Sequence, residues 1–157
     1  MNASMPDIRK LPAMADDIAP HHLDLLKAGR LGVLATQKRD GRPQLSTIVY
    51  AYDEAQELVR ISITDSRAKT KNLRRDPRAS LHVQTADGWT YAVFEGIAEL
   101  SPVAETTDDA TADELAGIYR AVQGEHPNWA EFRQAMVDDG RLVVRLHPTR
   151  SYGSPPR

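Results

Sequence analysis

"LGVLATQKRDGRPQLSTIVYAY", residues 31–52, decides the architecture. An apolar run, Leu31–Gln37, meets the polar hexapeptide "KRDGRP" and resumes as "PQLSTIVYAY". Asp40-Gly41 is a strong short-range hairpin signal, because glycine accepts the left-handed backbone that tight turns require. In the second run, alternation places Leu45, Thr47 and Val49 on one face and Gln44, Ser46, Ile48 and Tyr50 on the other. The stretch therefore predicts two antiparallel strands joined by a tight turn.

The same grammar continues on both sides. "DEAQE" is a polar turn and "LVRISIT" a third strand. "RASLHVQT" reads as a fourth strand, "ADG" as a further turn, and "WTYAVFEGIAELS" as a long fifth strand. Glu95-Gly96 inside it predicts a bulge or bend. Upstream, "PHHLDLLKAGR" is a short helix with a glycine stop at Gly29. Residues 101–140 are acidic and helix-like, in two segments, "TADELAGIYRAVQG" and "NWAEFRQAMVDDG", on either side of Pro127. This pair either lines a pocket or simply packs on the sheet. "RLVVRLHP" is a final strand and "TRSYGSPPR" a tail. The expected organisation is an arm over residues 1–19, a single domain over 20–153 with a helical insertion at about 101–140, and a terminal tail over 154–157. Short antiparallel strands with tight turns predict a mainly β fold with helices, an antiparallel barrel rather than a parallel doubly wound sheet.

Composition narrows the chemistry. The 157 residues hold no cysteine, which removes thiolate catalysis and gives no support to an oxidising compartment. Hydrophobic residues make up 41 %, a modest core that a partner surface would help to complete. No long apolar run predicts a membrane span, and the opening residues lack a secretory h-region, so a cytoplasmic protein is expected. There is no G-x-G-x-x-G, no P-loop and no G-x-S-x-G. The five histidines are not at metal-ligand spacing, and no metal site is expected. Asp108-Asp109 and Asp138-Asp139 read as solvated caps.

Against a net charge of −2, "ITDSRAKTKNLRRDPRAS", residues 63–80, concentrates six cations: Arg67, Lys69, Lys71, Arg74, Arg75 and Arg78. It reads as a helix capped by Asp65 or Ser66 and ended by Asp76-Pro77. The free N–H groups of a first helical turn attract anions. Cations placed there oppose the helix dipole by roughly 0.3–1 kcal/mol each, which a bound anion would offset. Arg67 and Lys69 are thus the expected anion ligands. The four cations further along are either a solvated helix face or further ligands. Aromatic residues make up only 6 % of the chain, which argues against stacking on nucleic-acid bases.

"GVLATQKRDGRPQLSTIVY", "SITDSRAKTKNLRRDPRASLHV" and "GWTYAVFEGIAEL", in that order, resemble the pyridoxamine 5'-phosphate oxidase-like split β-barrel superfamily. More closely they resemble its actinobacterial branch of coenzyme F420-dependent reductases. The resemblance runs from about residue 22 to about 153. It implies a homodimeric split barrel with a cofactor site at the subunit interface. The cofactor would be 8-hydroxy-5-deazaflavin (coenzyme F420), with FMN as the alternative. It implies that Arg67 and Lys69 grip the cofactor phosphate, with Thr70 and Asn72 nearby. Gln44, Leu45 and Ser46 would run beside the ring, with Ser62, Ile63 and Thr64 opposite. Trp89 and Tyr91 would close the pocket from the second subunit, or Trp89 would instead be an aromatic of the dimer core. Lys71, Arg74, Arg75 and Arg78 would suit a polyanionic cofactor tail. Thr90 and Tyr91 stand where phosphate-oxidase members often have arginine and glutamine, and their C-terminal substrate segment is not found. The implied activity is hydride transfer from reduced cofactor to an unsaturated small molecule. An FMN-dependent oxidoreductase, or a carrier without catalysis, fits the same pattern. No catalytic residue is assigned; Tyr50, Tyr91 or solvent would supply the proton.

Overall fold

The structure, a computed structural model, describes residues 17–156; most of the expected arm, residues 1–16, lies outside the described residues. The described elements are α1 (Pro20–Ala28), β1 (Leu31–Gln37), β2 (Pro43–Asp53), β3 (Leu58–Thr64), α2 (Ala68–Arg75), β4 (Arg78–Gln84), β5 (Tyr91–Leu100), α3 (Ala110–Gln123), α4 (Trp129–Asp138) and β6 (Arg141–Gly153). The six strands close into an antiparallel barrel in the order β1-β2-β3-β6-β5-β4. The Asp40-Gly41 turn joins β1 to β2 as the sequence predicts, with Gly41 at φ 88°.

Alternation fills the barrel. Leu34, Ile61, Ile63, Leu81, Phe94, Leu142, Val144 and Leu146 are all almost completely buried. α1 adds Leu26 to this core, and the Tyr50 hydroxyl donates to the Leu26 carbonyl at 2.7 Å. A second apolar cluster lies outside the barrel, where Leu115, Ala116, Ile118 and Phe132 of α3 and α4 cover Val143 of β6. Both helices are capped as their sequence allows. The Asp109 side chain accepts from the Ala112 N–H, and that of Asn128 from the Glu131 N–H.

Two expectations are corrected. The last strand does not stop at Pro148: β6 runs on to Gly153 and pairs with β5 as far as Ala92, so most of the expected tail is strand. The register shifts at Glu95/Gly96, leaving Thr149 without a register partner between Pro148 and Arg150, and a Cβ at Gly96 would sit 2.2 Å from the His147 carbonyl oxygen. The basic helix is not capped by Asp65 or Ser66. Arg67 occupies the N-cap with no side-chain cap bond, and Asp65 instead accepts from Arg74 at 2.5 Å.

The barrel is split on one side. β2 pairs with β3 only from Tyr50↔Ile61 to Asp53↔Leu58. From Pro43 to Val49, β2 follows β1 instead, while Ser62 to Thr64 of β3 follow β6. The two strands diverge, and a groove opens between them.

Candidate functional site

The groove has two compartments. The first, about 360 Å³, is lined by Gln44, Ser46, Ser62, Ile63, Thr64, Arg67, Ala68, Lys69 and Arg141. It brings together seven of the residues expected from the sequence: Gln44, Ser46, Ser62, Ile63, Thr64, Arg67 and Lys69. Ile63 is 1 % exposed, so its side chain belongs to the core and it borders the groove from beneath. The barrel split explains why these positions meet. Gln44 and Ser46 share the inward face of β2, and the divergence from β3 leaves them facing open space.

The cations define the chemistry. Burial pushes the Lys69 pKa down, and the positive charges of Arg67 and Arg141 push it further. Among the described residues, neither Arg67 nor Lys69 forms a salt bridge or a side-chain hydrogen bond within the chain. α2 carries no acid in its first turn, so its N-terminal end adds partial positive charge without internal compensation. Together these groups make this end of the groove strongly positive, an arrangement that suits an anion.

Five expected residues fall elsewhere. Thr70 is fully buried and donates to the Thr64 carbonyl at 2.7 Å. Asn72 is buried and donates to Thr36 Oγ1 at 3.1 Å. Both brace α2 on the barrel, because the face of so short a helix that packs inward takes them along. Leu45 is 64 % exposed on the outer face of β2, opposite in parity to Gln44 and Ser46. Trp89 lies in the β4–β5 turn, before the strand, and is 77 % exposed. Tyr91 stacks on His82 with ring centroids 5.5 Å apart. Neither aromatic lines the groove within one chain. Tyr50 is in the core, where burial pushes its hydroxyl pKa far up, so it is no proton source for the groove.

The other cations of the basic stretch, Arg74 and Arg75 of α2 and Arg78 at the start of β4, have partners within the chain. Arg74 pairs with Asp65, and Arg78 with Asp76 at 2.7 Å. Arg75 donates to the Gln37 carbonyl and to Asn72 Oδ1. Three of the four charges assigned to a polyanionic tail are thus engaged by the protein itself.

The second compartment, about 460 Å³, continues from the first through Ser62, Lys69 and Arg141. Its walls are Ile48 and Val49 of β2, Leu115, Ile118, Tyr119 and Val122 of α3, and Phe132 and Met136 of α4. The helical insertion therefore lines the pocket as well as packing on the sheet. Arg141 and Tyr119 were not anticipated. Arg141 enters the site because β6 pairs with β3 at Thr64↔Arg141, a contact across the whole helical insertion that no local pattern announces. The only signal for Tyr119 is its place on the apolar face of α3.

A split barrel with a cationic groove at its opening defines the class of molecule. The chain is matched over residues 18–154 by the family model described as pyridoxamine 5'-phosphate oxidase, and it belongs to that family. Solved structures share the fold. A protein described as an F420 reductase is 23 % identical with a TM-score of 0.65, over 86 % of this chain and 98 % of that one. The conserved hypothetical protein Rv2991 from Mycobacterium tuberculosis is 24 % identical with a TM-score of 0.66, over 88 % of this chain and 86 % of that one. A FAD-binding protein from Mesorhizobium loti is 19 % identical with a TM-score of 0.62, over 87 % and 93 %.

Proposed function

We propose that the protein is a flavin-type oxidoreductase, that its cofactor is 8-hydroxy-5-deazaflavin (coenzyme F420), and that it reduces an unsaturated small molecule. The observation that carries this reading is the pair of unpaired cations Arg67 and Lys69, with Arg141 beside them, at the mouth of an apolar chamber. Its donors fit a phosphate. Arg67 offers a planar fork, Lys69 a point charge, and the first turn of α2 its free N–H groups. The resemblance to deazaflavin reductases and the F420 reductase among the structural neighbours favour the deazaflavin over FMN.

Such a ring, bound in its reduced form, supplies a hydride to an electron-poor double bond. The chain's own residues bind, orient and exclude water. Arg67 and Lys69 hold the phosphate. Gln44, Ser46, Ser62 and Thr64 offer hydrogen bonds that fix the orientation of what lies in the split. α3 and α4 keep the far compartment apolar, and Tyr119 places a phenolic hydroxyl on its wall.

Equilibrium titration of coenzyme F420, a tailless deazaflavin and FMN, side by side, tests the reading. The deazaflavins are expected to bind more tightly than FMN. Because Arg74, Arg75 and Arg78 are engaged internally, the tail is expected to add affinity mainly through Lys71. Arg67→Ala should cost about 2–5 kcal/mol, at least tenfold in affinity. Tight FMN binding with no deazaflavin binding would transfer the assignment to a flavin enzyme. Binding of neither would end it.

A further inference from the structure

β6 carries two outward arginines four residues apart, and the fold treats them oppositely. Arg145 stands opposite Arg60 in the β3–β6 register, a like-charge pair that repels. Glu114 of α3 resolves it. Its Oε2 accepts from both Arg60 Nε and Arg145 Nε at 2.8 Å. Asp53 takes the Arg60 guanidinium at 2.6 Å and Glu99 takes Arg145 at 3.1 Å. At the other end of the same face, the buried Nε of Arg141 has no hydrogen-bond partner. The Asp139 carboxylate is 4.0 Å away. α3, which offers an acid to Arg145, lends only Leu115, Ile118, Tyr119, Val122 and Gln123 to the compartment that Arg141 enters.

That compartment, about 460 Å³, is within the ~300–1,000 Å³ range of small-molecule sites. The charged residues lining it are Lys69 and Arg141, both cationic and both at the end shared with the anion cradle. A sheet edge forms one wall and two helices the other, with Tyr119 and Phe132 among the helical contributions. Among the described residues Arg141 makes no side-chain hydrogen bond and its one carboxylate neighbour stands off at 4.0 Å, so an acidic ligand in the compartment would meet a guanidinium whose hydrogen-bonding capacity the chain leaves open.

We infer that the apolar compartment is the substrate subsite and that it selects a flat apolar molecule bearing one acidic group, anchored by Arg141 at the junction. The inference rests on the reading that Arg67 and Lys69 hold the cofactor phosphate. Arg141 is the specificity determinant, and the helical insertion sets the size of the molecule accepted.

A matched pair of fluorescent probes tests it on the full chain: 8-anilinonaphthalene-1-sulfonate and the neutral N-phenyl-1-naphthylamine, which share an apolar body and differ in the acid. The sulfonate is expected to bind at least tenfold more tightly. Arg141→Met should erase that preference while leaving the neutral probe unchanged, and Arg141→Lys should restore part of it. Val122→Trp, with circular dichroism confirming the fold, should exclude both probes. Arg67→Ala should weaken coenzyme F420 binding and spare the sulfonate preference. If Arg67→Ala leaves cofactor binding intact while the Arg141 results hold, the cradle assignment fails and the subsite stands. Equal affinity for the two probes, a preference that survives in Arg141→Met, or probe binding unaffected by Val122→Trp would overturn the proposal. So would displacement of the neutral probe by bound cofactor, which would assign the compartment to the ring.

Discussion

Lys69 shows how one side chain reports on the site. Burial, with Arg67 and Arg141 beside it, holds its pKa below the ordinary lysine range. In the unliganded protein the charged form is disfavoured relative to the unfolded chain. Stability is therefore penalised below the folded pKa, and the penalty is relieved as the pH rises toward the ordinary lysine value. Anion binding works in the opposite direction, because it favours protonated Lys69. Affinity for an anion should fall as the pH rises through that lowered window, with proton uptake on binding. Calorimetric titration of sulfate, whose own charge is constant there, in buffers of different ionisation enthalpy would measure both. Lys69→Arg should flatten the profile, since guanidinium stays charged. A wild-type profile that is already flat would place the anion away from Lys69.

At the level of elements, the fixing of α3 to the barrel decides whether the far compartment exists. Glu114 is the link. Burial alone would raise its pKa, but hydrogen bonds from Arg145 and Arg60 hold the carboxyl below its usual range. Its contribution is complete above the ordinary glutamate range and is lost as the pH falls through the lowered folded value. Removing a partner from a buried ion network costs about 3–5 kcal/mol, and exposed pairs contribute about 0–1. This network is half-buried, so Glu114→Gln should destabilise by about 2 kcal/mol at neutral pH, measured by urea denaturation. The difference from wild type should shrink in acid. The helices were legible because their stop signals and apolar spacing are local, and so was the Asp40-Gly41 hairpin; the cap of α2 was not, because Asp65 is taken by Arg74. The full length of β6 was not, because Pro148 reads as a strand end until the register shift at Glu95/Gly96 lets the strand run past it. The placing of Arg67 and Lys69 at the start of α2, beside the groove, was legible from charge set against a helix dipole. That Thr70 and Asn72 face the barrel was not legible, because sequence gives their place on α2 but not which face packs inward. Arg141 was invisible because its role depends on the strand register with Thr64.

For the molecule as a whole, the outer barrel surface raises the question of a second copy. Outward positions run in register across five strands, Thr47–Val33–His82–Val93–Tyr152, with Leu31 paired to Val49 beside them. Leu31 is 60 % exposed and Tyr152 52 %, and Leu45, Val49 and Trp89 extend the exposed apolar set. Thr47 and Val49 also line the far compartment, so whatever covers this face reaches the groove. A homodimer, as the resemblance implies, would bury this strip and carry Trp89 and Tyr91 of each chain toward the other's groove. A stable interface needs ~1,200–2,000 Å² of total burial, and a face spanning five strands has that scale. Sedimentation equilibrium should give twice the 17.4 kDa chain mass. Leu31→Asp combined with Tyr152→Asp places charge on two exposed positions of the strip and should yield folded monomers. If the partner completes the site, those monomers should also bind coenzyme F420 at least tenfold more weakly, although neither substituted residue lines the groove. Monomers that bind as tightly as wild type would confine the site to one chain and leave Trp89 and Tyr91 without a part in it.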